Sequence, residues 1–257
     1  MKLTEIVIPD IEDCLYLLPI SDLHIGSQGF NRDKLEGYLN WIKEHKNSRY
    51  LLIGDIFDCA IKHSVRNVYE EKLHLPESRK LFYEIFTPYK DYCLGWIDGN
   101  HEEAVYRETG DLLGEIICEY FNWNYFGVDA YIKLCFGIRD RNRKRAKPYV
   151  YTIYATHGWA AGRKTGTALN KIEDLRFICL ADIYITAHHH KMAVSQDIFY
   201  VPDLRNKKIT EMKLTYVAAG TFKENGRWER SKGFKPVKLG SPAIRLTAFK
   251  KDCHVSI

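Results

Sequence analysis

The sequence predicts an α/β fold: two mixed β-sheets packed face to face and flanked by helices. Three observations carry that expectation. Apolar runs of strand length alternate with helical segments through the first half of the chain. The second half turns β-rich. Polar residues recur just past the end of each buried run, where open α/β sheets build their ligand sites.

Residues 14–21 (CLYLLPIS) form a continuous apolar run, the mark of a strand buried on both faces. Residues 32–46 place Leu35, Tyr38, Leu39 and Ile42 at helical spacing, and a second buried strand follows at 50–53. Residues 63–90 read as mostly helical with a break near Pro76. A third short strand covers 91–97 and a further helix 111–121. This βαβα rhythm predicts a mainly parallel sheet. Residues 130–138 and 149–155 then alternate like paired strands around the basic connection RDRNRKRAKP. A helix at 167–178 and a strand at 182–186 come next, and from Ile198 onward the chain reads as strand-rich. Two stacked sheets with helices outside is the simplest architecture that uses both halves.

The 257 residues, 46% hydrophobic and 28% charged, have the composition of an ordinary globular protein. Without repeats or a low-complexity linker, a single domain over 1–257 is expected. Seven cysteines with no CxxC pair argue against a disulfide framework and a zinc ribbon. A reducing, cytoplasmic setting is expected. The chain lacks an apolar run of the roughly 18–20 residues a membrane span requires, and its first residues carry acids where a signal peptide keeps an apolar core. No membrane partner is expected. The net charge of +5 conceals a split: residues 1–138 hold 14 basic and 23 acidic side chains, and residues 139–257 hold 24 and 10. Such asymmetry points to a polyanionic partner or to a solvated basic surface.

The strand ends read Asp22-Leu23-His24, then Gly54-Asp55-Ile56-Phe57-Asp58, then Asp98-Gly99-Asn100-His101-Glu102, then Thr156-His157-Gly158, then Ala187-His188-His189-His190. Six of the ten histidines fall in this set, which favours a site over scattered core or surface imidazoles. Each acid alone would pass for a turn or helix-cap residue. Carboxylates, imidazoles and one amide, without cysteine, suit a divalent metal such as Mn, Fe, Ni or Zn. Seven or so such groups exceed one tetrahedral ion and fit two ions sharing a carboxylate. Asp98 and Glu102 read as solvated or capping residues, and His45, His63, His74 and His254 as ordinary surface or helix residues.

Together, D-x-H, G-D-x-x-D, G-N-H-E, H-G and H-x-H over residues 22–190 resemble the signature of the calcineurin-like metallophosphoesterases, in the family's order and with comparable spacings. The resemblance implies the family's α/β/β/α sandwich and a dinuclear centre with Mn foremost and Fe, Ni or Zn as alternatives. It implies that Asp22, His24 and His190 hold one ion, that Asp55 bridges both, and that Asn100, His157 and His188 complete the second. His101 would protonate the leaving oxygen or stabilise charge on the phosphate, with Asp58 as support. The expected activity is phosphate-ester hydrolysis by hydroxide held at the metals, on a diester and, within that class, on DNA or RNA. A phosphomonoesterase, and a non-catalytic scaffold subunit of a nucleic-acid complex, are the alternatives. Ala187 stands where the family usually has Gly. His189 is expected to point away from its neighbours, because successive residues of an extended segment face opposite ways.

Residues 158–165 (GWAAGRKT) resemble a phosphate loop, but Arg163 separates Gly162 from Lys164, so a nucleotide-binding P-loop is rejected. Arg163 and Lys164 remain candidates for touching a substrate phosphate, against the alternative of a solvated loop. Residues 205–213 and 223–238 are basic (+3 and +4), with Tyr216, Phe222, Trp228 and Phe234 interleaved. Charge and stacking rings are the two components of a nucleic-acid groove.

Overall fold

A computed structural model of the chain describes residues 2–9, 11, 13–59, 72–137, 148–159 and 164–257. Two sheets are formed from strands β1 (Leu3–Ile8), β2 (Cys14–Ile20), β3 (Ser48–Ile53), β4 (Cys93–Ile97), β5 (Asp129–Phe136), β6 (Tyr149–Thr156), β7 (Ile183–Thr186), β8 (Ala193–Asp203), β9 (Lys208–Ala218), β10 (Ala243–Thr247) and β11 (Cys253–Ser256). One sheet has the order β11-β10-β2-β3-β4 and the other β1-β5-β6-β7-β9-β8. Both are mixed. β2, β3 and β4 run parallel, with β10 antiparallel to β2. β6, β7 and β9 run parallel, flanked by antiparallel β5 and β8.

The apolar runs divide between two layers by alternation. Leu15, Leu17, Leu51 and Ile53 share a core with Ile132, Leu134, Ile153, Ile183 and Ile185 of the facing sheet. Leu18, Ile20 and Leu52, on the other face, pack with helix α1 (Arg32–Glu44) through Leu35, Leu39 and Ile42. Phe82 and Phe86 of α2 (Leu75–Phe86) and Ile117 of α4 (Leu113–Phe121) complete that layer. Outside the second sheet, Tyr154, Tyr184, Leu214 and Tyr216 pack with Ile172 of α5 (Thr165–Asp174). The four layers are therefore helix, sheet, sheet, helix, the expected sandwich. No helix among the described residues is long and apolar enough to cross a membrane.

Several local expectations need correction. Pro76 does not break a helix but begins one, in the first turn of α2, where its missing N–H needs no partner. Residues 60–71, the start of that expected helix, lie outside the described residues. Asp91 and Tyr92 belong to a 3-10 turn, Thr87–Tyr92, and the strand starts at Cys93. Strand β8 begins at Ala193 rather than near Ile198. β1, β11 and a helix α3 (Asn100–Thr109) lie where no element is expected. β1 reads poorly because Leu3 and Val7 on one of its faces remain exposed.

The chain reversals after β3 and β4 touch. Gly54 has φ +68, and a Cβ there would lie 2.5 Å from the Gly99 backbone and 2.7 Å from His157 Nδ1. A Cβ on Gly99 would collide with Asp55 N and Oδ1. Gly37, on α1, has open space around it. Gly99→Ala is therefore expected to destabilise the fold by about 1–3 kcal/mol through overpacking, whereas Gly37→Ala stabilises it by roughly 0.5–1 kcal/mol through helix propensity. Chemical denaturation checks both signs. A neutral Gly99→Ala would show that the two reversals are not held in contact.

Candidate metal centre

Five strand ends deliver the polar residues to one place. Asp22 and His24 follow β2, Asp55 and Asp58 follow β3, and Asn100 and His101 open α3 just after β4. His157 follows β6, and His188 and His190 follow β7. The sheets are tied together at this edge by His157 Nδ1 to Ile53 O (2.9 Å) and by His188 N to Asp22 Oδ2 (3.1 Å).

Two clusters of ligand atoms result. In the first, formed by Asp22, His24 and His190, His190 Nε2 lies 3.1 Å from Asp22 Oδ1 and 3.2 Å from His24 Nε2. In the second, formed by Asp55, His157 and His188, His157 Nε2 lies 3.2 Å from Asp55 Oδ2. Asn100 Oδ1 joins it, 2.8 Å from His188 Nδ1. His189 is in neither cluster; its ring stands edge-on to His188 at 5.9 Å. The reason for that separation is not an extended backbone. His188 and His190 have φ +67 and +55, so the segment turns, and the alternation expected of a strand does not apply.

Supporting groups orient the rings. His24 Nδ1 faces Asp58 Oδ1 at 3.1 Å, and His157 Nδ1 donates to a backbone carbonyl. Each bond fixes the tautomer and leaves Nε2 facing its cluster. A third grouping, His24, Asp58 and His101, is this support seen from behind, since Asp58 meets the opposite nitrogen of His24. The Asp58 carbonyl accepts from His101 Nδ1, so Asp58 holds both imidazoles. His101 Nε2 lies 3.8 Å from Asp55 Oδ2, and its ring is edge-on to His24 at 4.8 Å.

The electrostatics call for cations. Asp22 and Asp55 are 0% and 2% exposed. Burial works against their charge, yet His190 beside Asp22 holds that carboxyl below its usual range, and His157 and His101 hold Asp55 well below. Burial likewise opposes a charged His157, but Asp55 and Asp22 outweigh it and push the imidazole up to about 10. His188 is pushed down by burial and by His157. Asp22 Oδ1 and His157 Nε2 are buried and make no hydrogen bond of good geometry among the described residues, although an opposite group lies within 3.2 Å of each. Two imidazole nitrogens facing each other beside a carboxylate satisfy a divalent ion better than they satisfy one another. The donor set fits metal.

Residues 16–200 match the model of the calcineurin-like phosphoesterases. The chain belongs to the calcineurin-like phosphoesterase family. Solved structures of similar fold include a metallophosphoesterase from Sphaerobacter thermophilus, 12% identical, covering 93% of this chain and 90% of that one with a TM-score of 0.41. Vps29 from Chaetomium thermophilum is 12% identical over 94% of each chain, with a TM-score of 0.39. GAP50 of Plasmodium is 10% identical, covering 91% and 82% with a TM-score of 0.47. No curated protein sequence matches the chain.

Other residues support this phosphoesterase centre in ways the sequence alone does not show. Glu102 is buried rather than solvated (2% exposed) and does cap α3. Its carboxylate accepts Gly99 N and Asp55 N at 2.9 Å, Ile56 N at 3.0 Å and Phe57 N at 3.2 Å. Burial and Asp55 work to raise its pKa, but all four partners are donors, and a carboxyl proton there would have nothing to bond. Asp98 is also buried, accepting from Trp96 Nε1 (2.7 Å) and from Tyr125. Lys223 is buried at 6% exposure, with Nζ 2.8 Å from Glu229 and 3.8 Å from Asp58. Tyr216 and Phe222 are fully buried, so they and Lys223 leave the expected basic, aromatic surface. Lys164 is exposed at the start of α5 and belongs to neither ligand cluster. Arg163 and the basic stretch 139–147 lie outside the described residues.

Glu102→Gln keeps the shape but replaces one acceptor oxygen with a donor, stranding about two buried N–H groups. A loss of roughly 2–4 kcal/mol is expected, with lower metal content at equal protein concentration. Denaturant titration and elemental analysis check it; a loss under about 1 kcal/mol would show that the carboxylate is not what ties the strand ends together.

Proposed function

We propose that the protein is a dinuclear metal-dependent phosphodiesterase. The observation that carries this reading is the pair of separate ligand clusters at one sheet edge, each pairing a buried acid with imidazoles. Asp22, His24 and His190 would hold one ion, Asn100, His157 and His188 the other, and Asp55 would be shared. Divalent ions held there would supply Lewis acidity at the phosphoryl group and lower the pKa of water.

The chain's own groups account for the rest. Because His101 Nδ1 donates to the Asp58 carbonyl, Nε2, which lies 3.8 Å from Asp55 Oδ2, is the nitrogen that would carry a proton to a leaving oxygen. Such a proton assists an alkoxide, which leaves poorly unless protonated. The N-terminal end of α3 faces the same site, with His101 N donating to Asp55 Oδ1 at 3.0 Å, and its positive dipole end favours an anionic substrate. All seven candidate ligands are retained, which speaks against a binding-only scaffold.

Manganese-loaded protein is expected to hydrolyse an aryl phosphodiester faster than the monoester, and to lose that turnover on chelation. Monoester-only turnover would remove the diester reading, and elemental analysis showing one ion per chain would remove the dinuclear one. Asp55→Asn should lose metal and turnover together. His101→Ala should keep its metal while kcat falls by roughly 10²–10⁴. Equal metal loss in both variants would refute that division of roles.

A further inference from the structure

A pocket of about 510 Å³ is lined by Lys164, Lys191, Lys235 and Lys238, with Thr165 and apolar residues that include Ile257. No acidic side chain is among the described residues lining it. Lys191 directly follows the candidate ligand His190 in the chain, so the backbone of one wall lies about 3.8 Å from that of a ligand residue. Thr165 opens α5, a helix of 10 residues, so a helix N-terminus adds its partial positive charge to the lysines. Lysines gathered on one concavity make it electropositive, and a polyanion is the ligand class that complements such a surface.

The surroundings narrow the class. Phe234, next to Lys235, is 38% exposed, and Trp159, two residues beyond His157, is 45% exposed. Exposed rings together with lysines are the combination that holds unpaired bases and backbone phosphates.

We propose that this lysine pocket seats backbone phosphates of a single-stranded nucleic acid next to the metal centre. The proposal rests on the phosphodiesterase reading only for what happens to the strand, not for its binding. It also moves the nucleic-acid contact away from residues 205–213 to the pocket itself.

The test is fluorescence anisotropy of a labelled oligothymidylate of about twelve nucleotides, in chelator so that no cleavage occurs, at about 50–200 mM salt. Lys235→Gln/Lys238→Gln, both exposed positions, should lower the slope of log K against log salt by about 1.4, at roughly 0.7 per lost phosphate contact. Lys207→Gln/Lys208→Gln, where β8 turns into β9, removes the same charge elsewhere and should leave the slope unchanged. An equal change in both double variants, no change in either, or tighter binding of the matching duplex overturns the proposal. Failure of the manganese-loaded protein to cleave any diester, with the slopes as expected, would remove the activity and leave the groove standing. Diester turnover with unaltered slopes would do the reverse.

Discussion

The centre depends on one buried carboxylate that touches no candidate ligand side chain. Glu102 accepts four backbone N–H groups from two separate chain reversals, those of residues 55–57 and of Gly99. Reversals after buried strands leave N–H groups pointing inward, and each left unpaired would cost about 1–3 kcal/mol. By gathering four on one side chain, Glu102 fixes the distance between the β3 and β4 ends. Gly54 and Gly99 then let the backbones approach to contact. Asp55, Asn100 and His101 are placed as a consequence, and His101 N in turn binds the Asp55 carboxylate.

Strain collects where the ligands collect. Asp22, His24, Asp55, His188 and His190 all have φ between +49 and +67, a region that costs a non-glycine residue of order 1–3 kcal/mol. An extended or helical backbone at these positions would aim the side chains along the strand axis or into the core. The left-handed turn aims carboxylates and imidazoles at a common point. That compaction is unfavourable twice over, in backbone strain and in crowding like groups away from water, and it persists because the packed sheets on either side over-determine it. A bound divalent ion offsets the electrostatic part, so metal binding and local stability are coupled in such a site.

The ligand side chains are legible in the sequence because each sits immediately after an apolar run that can only be a buried strand, and because imidazole clustering is rare by chance. The two-sheet architecture is legible for the same reason. Backbone conformation is not: a His-His-His run reads as extended, and only the turn geometry shows how His188 and His190 serve different clusters. Glu102 stands in the G-N-H-E motif and reads as a cap, but its bridging role is hidden because its partners are main-chain groups, which carry no residue identity. β1 is hidden because half its side chains face solvent, so its apolar pattern is weak. Lys223 misleads in the opposite direction. It stands in a basic stretch and reads as surface, yet Asp58 and Glu229 draw it into the interior.

That inward lysine bears on how the family's core is completed here. The family match ends at residue 200, but the segment just beyond β9 closes over the centre. Thr221 Oγ1 donates to Asp22 O at 2.8 Å, Phe222 N donates to the same carbonyl at 3.2 Å, and Ser21 Oγ bonds Gly220 O at 3.1 Å. The carbonyl of a residue held at positive φ is thus clamped by two donors from the far end of the chain. Lys223 continues the brace to Asp58, and hence to His24. A part of the molecule outside the family's matched span therefore holds the first cluster in its strained conformation. The charge split between the two halves takes on a physical meaning from this. The acidic half supplies carboxylates that must be neutralised, and the basic half supplies three candidate ligand histidines, one inward lysine that steadies Asp58, and outward lysines at Lys164, Lys235 and Lys238.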